Sequence, residues 1–174
     1  MFRVFDLLLA SVIGSLLFPL FLVLTIWAWI DTGKPIFAQD RVGRFGKCFK
    51  LYKFRTMPVT CLSVPTHEAD MSQVTWMGAF LRRTKLDEMP QILNVIRGEM
   101  SFVGPRPCLP TQKSLLEKRN ALKLLEVRPG ITGLSQVRGI DMSRPNELLI
   151  SDVEMIRSMS VQLYLKLLWL TLAR

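Results

Sequence analysis

The sequence predicts an α+β fold that is mainly helical, carries one β-hairpin and is tied to a membrane by its N-terminal segment. Three observations predict it. Residues 7–30 hold no charged side chain and are bounded by Asp6 and Asp31. Two stretches of aromatic and branched residues flank a glycine-bearing turn between residues 37 and 54. Beyond them, short helical periodicities alternate with Gly and Pro. The charge balance agrees: 23 Lys+Arg against 14 Asp+Glu give a net charge of +9, yet 49% of the residues are hydrophobic. A disordered basic tail is poorer in Leu, Ile, Val and Phe, and a purely soluble domain seldom pairs a mean hydropathy of +0.27 with a pI near 9.9. A membrane-associated protein with a basic aqueous face fits both, and 174 residues suffice for one globular domain with a modest core besides an anchor.

The uncharged run would be ~36 Å long as a helix at 1.5 Å per residue, enough to cross a hydrocarbon core of ~30 Å. It is too long for a signal peptide and no small-residue cleavage site closes it, so it is expected to be retained. Pro19, in the middle, should bend or break the helix. Two topologies are compatible with that: a single kinked span, or a re-entrant helix that returns to the face it entered. Trp27 and Trp29 mark the exit, and Arg3, Lys34, Arg41 and Arg44 put positive charge at both ends. The chain therefore divides into an anchor, 1–32, and a second domain, 33–174.

Residues 37–42 and 48–54 read as the hairpin, turning at Gly43-Arg44-Phe45-Gly46. Residues 58–73 read as a surface loop holding the only histidine, His67, as a solvated residue. Residues 74–83 predict a short helix with Met77, Phe80 and Leu81 on one face, followed by a helix beginning at Asp87-Glu88-Met89-Pro90. Proline suits a first turn, Ile92, Leu93, Val95 and Ile96 recur at helical spacing, and Gly98 is a natural stop. Residues 111–127 predict a charged amphipathic helix with Leu115, Leu116, Leu122 and Leu125. A glycine-punctuated segment, 128–133, precedes a short strand expected over 134–138. The apolar end, 161–174, is too short to span and belongs at the membrane interface or in the core.

Cys48, Cys61 and Cys108 are odd in number and lack a C-x-x-C pair, so no disulfide framework or zinc knuckle is encoded and a reducing compartment is expected. With one histidine, His-based zinc hydrolases and Ser-His-Asp triads lack their parts. Candidate chemistry is densest over residues 81–107. There Arg82, Arg83, Lys85, Asp87, Glu88, Arg97 and Arg106 surround the expected helix start. Backbone N–H groups and nearby cations suit a phosphate, and an ionised Asp there can act as a nucleophile on phosphorus or as a Mg²⁺ ligand. Helix capping by Asp87 and Glu88 accounts for the same residues without any chemistry. In Gly104-Pro105-Arg106-Pro107 two prolines fix φ around one guanidinium, which suits phosphate recognition or a merely rigid turn.

Five motifs occur in order along the chain: Arg41-Val42-Gly43 with Gly46 and Phe49; Lys53-Phe54-Arg55-Thr56-Met57; Leu81-Arg82-Arg83-Thr84-Lys85-Leu86-Asp87-Glu88-Met89-Pro90-Gln91; Met100-Ser101-Phe102-Val103-Gly104-Pro105-Arg106-Pro107; and Arg128-Pro129-Gly130-Ile131-Thr132-Gly133-Leu134-Ser135-Gln136. In these the sequence resembles the small monotopic bacterial phosphoglycosyl transferases, also called bacterial sugar transferases. The resemblance implies transfer of a sugar 1-phosphate from a UDP-sugar to undecaprenyl phosphate with release of UMP, the first membrane step of O-antigen, capsule or other glycoconjugate assembly. It implies Asp87 as covalent nucleophile and ligand of a required Mg²⁺, with Glu88 assisting. It implies phosphate or nucleotide contacts at Arg82, Arg106 and Pro107, a basic strand motif at Lys53 and Arg55, and a functional acid at Asp152 before the C-terminal helix. Asp141 falls in the segment expected to contact substrate. The resemblance further implies a re-entrant anchor, interfacial amphipathic helices and a catalytic domain on the cytoplasmic face of the bacterial inner membrane.

The departures from the family pattern are Phe18 where serine is common before the membrane proline, Lys85 in place of a serine, Leu134-Ser135 in place of Trp-Ala, and Ile140-Asp141-Met142-Ser143 in place of an Arg-Asn pattern. They bear on the sugar, for which N-acetylated amino sugars are the first expectation, and no further N-terminal domain is expected. A non-enzymatic basic protein binding anionic lipid or RNA would explain the charge. It leaves the acidic pair and the Pro-Arg-Pro turn unexplained, and the cations are too dispersed for a nucleic-acid stripe; a membrane scaffold subunit is the third class. Nucleic acid is not expected as a partner, and oligomeric state has no signal in the sequence.

Overall fold

The computed structural model describes residues 2–59 and 71–173. The fold is α+β and mainly helical, with two small two-stranded sheets. The chain divides into two compact units, Met1–Gln39 with Lys50–Arg97, and Asp40–Phe49 with Gly98–Arg174.

The first unit contains α1 (Arg3–Thr32), which ends where Gly33 turns left-handed (φ +74°) and returns its N–H to the Trp29 carbonyl. The helix continues through Pro19, so the break expected there is not a break in secondary structure. Proline removes one hydrogen bond, but contacts hold the helix on both sides of it: Ala10 is buried before Pro19, Leu24 and Ala28 after it. Another face is apolar and exposed, with Leu8, Val12, Leu16, Phe18 and Ile26 open to the surroundings. By length and composition α1 could cross a membrane, and only 11% of its most apolar window is buried. Trp29 is exposed as expected, whereas Trp27 packs on Trp76 and Phe80.

The expected hairpin is present as β1 (Ile36–Val42) and β2 (Cys48–Phe54), joined through the 3₁₀ turn Arg44–Gly46. Residues 60–70, including Cys61 and His67, lie outside the described residues, and with them most of the loop expected over 58–73; Met71–Gln73 is a 3₁₀ turn. The helix expected over 74–83 is α2 (Trp76–Thr84), capped by Thr75, whose Oγ1 accepts from Gly78 N and donates to Asp31 Oδ2 at 2.6 Å. Met77 and Leu81 enter a core with Leu24, Ala28 and Phe54. Phe80 does not share that face and is 41% exposed. The cause is Gly78: a Cβ there would lie 2.2 Å from the Thr56 carbonyl oxygen, so the helix presses its glycine side onto that backbone and turns Phe80 outward, against Trp27.

The helix expected from Asp87 is two elements. Lys85, left-handed at φ +58°, ends α2 and opens a 3₁₀ turn, Leu86–Glu88. The helix α3 (Gln91–Arg97) begins only after Pro90, and Gly98 (φ +82°) stops it as expected. Val95 is buried, but Leu93 and Ile96 are each 46% exposed. The inner face is taken partly by Asn94, fully buried, which donates to Lys50 O (2.7 Å) and accepts from Tyr52 N (3.2 Å) on β2. Arg3 at the start of α1 donates to the Val95 carbonyl and, at 2.9 Å, to that of Ile96, closing the C-terminal end of α3.

In the second unit β3 (Ser101–Val103) and β4 (Gly130–Thr132) are parallel, with Ser101 opposite Gly130 and Val103 opposite Thr132. Parallel neighbours need a long crossover, which here carries α4 (Lys113–Ala121). The strand expected over 134–138 instead lies within the glycine-punctuated segment, and residues 134–137 form α5 (Leu134–Val137). Those glycines are contact points: a Cβ on Gly130 would stand 2.1 Å from Gly104 N, so only glycine allows the strands to close. The amphipathic helix expected over 111–127 stops early, because Lys123 is left-handed (φ +58°) and opens a 3₁₀ turn, Leu124–Glu126. Leu115 and Leu124 are buried, whereas Leu122 is 48% exposed. The helix α6 (Pro145–Arg157) has no counterpart among the expected elements; Leu148 and Leu149 carry it into a core with Val42, Cys108, Leu115 and Leu124. The apolar end is α7 (Val161–Leu172), one-sided: Tyr164 and Leu167 are buried, while Val161, Leu165, Trp169 and Leu172 are exposed.

Gly78→Ala should lower stability by about 1–3 kcal/mol through forced overpacking on Thr56. Gly14→Ala, whose Cβ would meet nothing closer than Ile92 Cγ2 at 3.9 Å, should raise it by roughly 0.5–1 kcal/mol from helix propensity. Thermal unfolding of the detergent-solubilised protein reads both.

Candidate active site

In the first unit the 3₁₀ turn Leu86–Glu88 carries the acidic pair. Asp87 is 9% exposed, while Glu88 is partly exposed and accepts from Lys53 Nζ of β2 at 3.2 Å. With both partners near a fifth exposed (18% and 22%), this pair adds little to stability. Its effect is to fix where the Glu88 carboxylate points. Arg82, in the last turn of α2, donates from Nε to Thr56 Oγ1 at 2.9 Å. Thr56 lies two residues beyond the end of β2, so one strand end positions both Lys53 and the partner of Arg82. The left-handed turn at Lys85 then reverses the chain after α2 and brings the acidic turn into the same unit. Arg55 is held elsewhere, donating to Lys34 O at 3.1 Å and lying over the Phe37 ring.

The sequence places Asp87 and Glu88 at a helix start, but the structure puts them before α3, a helix of only 7 residues. The macrodipole of so short a helix is a minor contribution four residues upstream. The local fields are therefore those of side chains.

In the second unit Arg106 is half-buried and Pro107 is buried. Asp152 on α6 is fully buried, with Oδ2 on Arg119 Nη2 at 2.8 Å and Oδ1 accepting from Ser135 Oγ at 3.0 Å. Burial pushes the Asp152 carboxyl above the usual carboxylate range, while Arg119 and Ser135 pull it back. Arg41, 6% exposed, donates to Pro107 O at 3.2 Å. Burial brings its guanidinium down to about 10, assisted by the neighbouring Arg106 cation and opposed by Cys108. Asp141 is exposed and accepts from Ser143 N at 2.9 Å in the turn before α6.

Of the residues singled out in the sequence, Lys53, Arg82, Asp87 and Glu88 fall in the first unit near the end of β2 and the turn after α2. Arg106, Pro107 and Asp152 fall in the second unit, where Asp152 meets Arg119 rather than the surface. Thr56, Arg41, Arg119 and Ser135 were not singled out as site residues. Thr56, Arg41 and Ser135 lie inside the ordered motifs, and Arg41 otherwise reads only as positive charge after the anchor. Arg119 has none, since it lies on a helix that reads as a charged solvent face.

Among the described residues no group of three or more His, Cys, Asp or Glu could hold a metal ion. Mg²⁺ usually takes one or two carboxylates plus substrate phosphate oxygens and keeps waters, so Asp87, with Glu88 beside it in one turn, could serve as its protein ligand without such a group.

By comparison with known proteins the chain belongs to the bacterial sugar transferase family, whose model matches residues 1–174. It is 39% identical over 156 residues to a UDP-galactose-lipid carrier transferase of Erwinia amylovora, covering 79% of this chain and 32% of that one. It is 36% identical over 181 residues to a UDP-glucose:undecaprenyl-phosphate glucose-1-phosphate transferase of Klebsiella pneumoniae, covering 97% and 38%. It is 39% identical over 155 residues to the exopolysaccharide production protein ExoY of Rhizobium meliloti, covering 79% and 68%. The chain thus spans about a third of the length of the first of these relatives.

Arg119→Leu, which leaves Asp152 buried without its cation, should cost about 3–5 kcal/mol of stability. Arg138→Leu, which breaks a pair with Glu154 whose partners are 43% and 49% exposed, should leave stability essentially unchanged. Chemical denaturation of both variants checks the contrast.

Proposed function

We propose that this chain transfers a sugar 1-phosphate from a UDP-sugar to undecaprenyl phosphate, releasing UMP, at the cytoplasmic face of the bacterial inner membrane. The observation that carries the reading is the turn holding Asp87 and Glu88, with Glu88 on Lys53 and Arg82 on Thr56 in the same unit. An Asp Oδ attacks the phosphorus that bears the sugar, and the bond from that phosphorus to the bridging oxygen breaks, so UMP leaves with the electron pair. An oxygen of undecaprenyl phosphate then attacks the acyl phosphate. It restores the Asp87 carboxylate and leaves the sugar on a polyprenyl diphosphate. Lys53 holds Glu88 in place beside the nucleophile, and the cationic side chains favour the dianionic donor over neutral competitors. Mg²⁺, held by Asp87, would supply charge that offsets the repulsion between the carboxylate and the diphosphate.

The anchor reading follows from α1. Its first residue, Arg3, bonds to α3, and Asp31 near its other end bonds to Thr75, both within the first unit. A helix bonded at both ends to one polar unit does not deliver its N-terminus to the far side of a bilayer, which supports a re-entrant or in-plane helix over a span. The names of the relatives support the donor and acceptor classes, and the product fits the start of exopolysaccharide, capsule or O-antigen assembly.

UMP release is measured with undecaprenyl phosphate and Mg²⁺ against a donor panel that includes UDP-N-acetylated amino sugars, UDP-glucose and UDP-galactose. One donor should give lipid-dependent release that falls at least ~10³-fold in Asp87→Asn, the scale of losing a covalent nucleophile. Release that survives in Asp87→Asn overturns the covalent mechanism, and no release from any donor overturns the transferase reading. Chelation of the divalent ion should abolish turnover and added Mg²⁺ should restore it. Turnover that persists in excess chelator removes the ion from the reaction.

A further inference from the structure

The segment that carries Arg106 has every one of four successive carbonyls taken by a different donor. Gly130 N–H donates to Pro105 O at 3.0 Å, Arg119 Nη1 to Arg106 O at 2.7 Å, Arg41 Nη1 to Pro107 O at 3.2 Å, and Val42 N–H to Cys108 O at 2.9 Å. Gly104, just before, donates its own N–H to Thr132 O at 2.9 Å. Two of the four carbonyl partners are backbone groups of neighbouring segments, as in any packed loop. The other two are arginines buried to 6% and 3% exposure, an expensive choice for accepting-group satisfaction alone. Arg119 is further committed, since its Nη2 is locked on the fully buried Asp152, which is itself held by Ser135.

We infer that Arg119, oriented by Asp152 and Ser135, is a positioning residue that sets the direction of the Arg106 side chain by holding the Arg106 carbonyl, with Arg41 fixing the next carbonyl along. The inference rests on the proposed function and takes from the family resemblance that Arg106 contacts the donor's phosphate or nucleotide. It gives Asp152 a role different from the one the family resemblance implies: the carboxylate acts through Arg119 and does not touch substrate. Prolines on both sides of Arg106 restrict φ at 105 and 107 but leave the peptide planes free to rotate through ψ. The hydrogen bonds to consecutive carbonyls stop that rotation, so prolines and arginines remove complementary freedoms. A charged donor also makes the stronger hydrogen bond. Lysine in place of Arg119 keeps the charge yet has no fork with which to reach Asp152 and the Arg106 carbonyl at once.

The test combines two readouts on the full chain in detergent. Amide hydrogen exchange over residues 101–112 should quicken in Arg119→Lys, with the first unit unchanged. Unaltered exchange in a folded variant overturns the holding role whether or not any donor turns over. The second readout is a double-mutant cycle on the donor KM. Arg119→Lys should raise KM about tenfold, the worth of one charge-assisted hydrogen bond, with a smaller change in kcat. On an Arg106→Ala background the same change should leave KM nearly unaltered. Equal effects on both backgrounds overturn the inference, because a merely structural role is indifferent to Arg106. Should Arg119→Lys not fold, Asp152→Asn, which keeps size and loosens Arg119, is carried through both readouts with the same outcomes expected. A wild-type chain that releases no UMP overturns the proposed function, and exchange over 101–112 then decides the holding role by itself.

Discussion

The second unit is organised around one buried ion pair. Asp152 on α6 cannot be ionised in an apolar interior without a partner, and Arg119 on α4 cannot be desolvated without an acceptor. Meeting at 2.8 Å, they bind α4 to α6, and Ser135 adds α5 to the same carboxylate. Removing either partner alone leaves the other charge stranded, so the three helices are obliged to form together. The loop bearing Arg106 inherits its geometry from that obligation, because the guanidinium that serves Asp152 also serves the Arg106 carbonyl.

The first unit solves a different problem. It must keep a polar turn with two carboxylates close to a long apolar helix. The solution is close backbone approach at Gly78, which lays α2 on Thr56 and leaves Met77 and Leu81 to meet Leu24, Ala28 and Phe54 on the apolar side. Lys53 and Arg82 come from elements on either side of that contact, which is why two cations near the acidic turn are ordered by Glu88 and Thr56 without a rigid metal cage.

Much of this was legible in the chain. The uncharged run, the hairpin around its glycine turn, the stop at Gly98 and the short apolar C-terminal segment all follow from local patterns. The acidic pair, Lys53, Arg82 and Arg106 were visible through residue type and motif order. Several of the misreadings share a cause, a backbone feature that has no side-chain signature. Lys85 and Lys123 adopt left-handed conformations that a lysine does not advertise, so two helices were read as longer than they are. The glycines at 130 and 133 read as punctuation, although Gly130 is inside a strand whose partner lies far away in sequence. Arg119 was invisible because a buried arginine and a solvated one look alike until the partner, 33 residues on, is in place.

That separation has a bearing on how the chain is made. The hairpin tip belongs to the second unit, yet Arg41 finds its carbonyl acceptor 66 residues later, and Thr132 closes on Thr171 near the end of α7. A ribosome adds residues in order, so the first unit can assemble while the tip still waits for Cys108 and for the helices that bury it. Through that interval Val42 and the neighbouring backbone lack the partners that bury them, a condition that favours stray strand pairing. Early capture of α1 by lipid would shorten the interval's danger without shortening the interval, and the contacts made last, between β4 and α7, are the ones that end it.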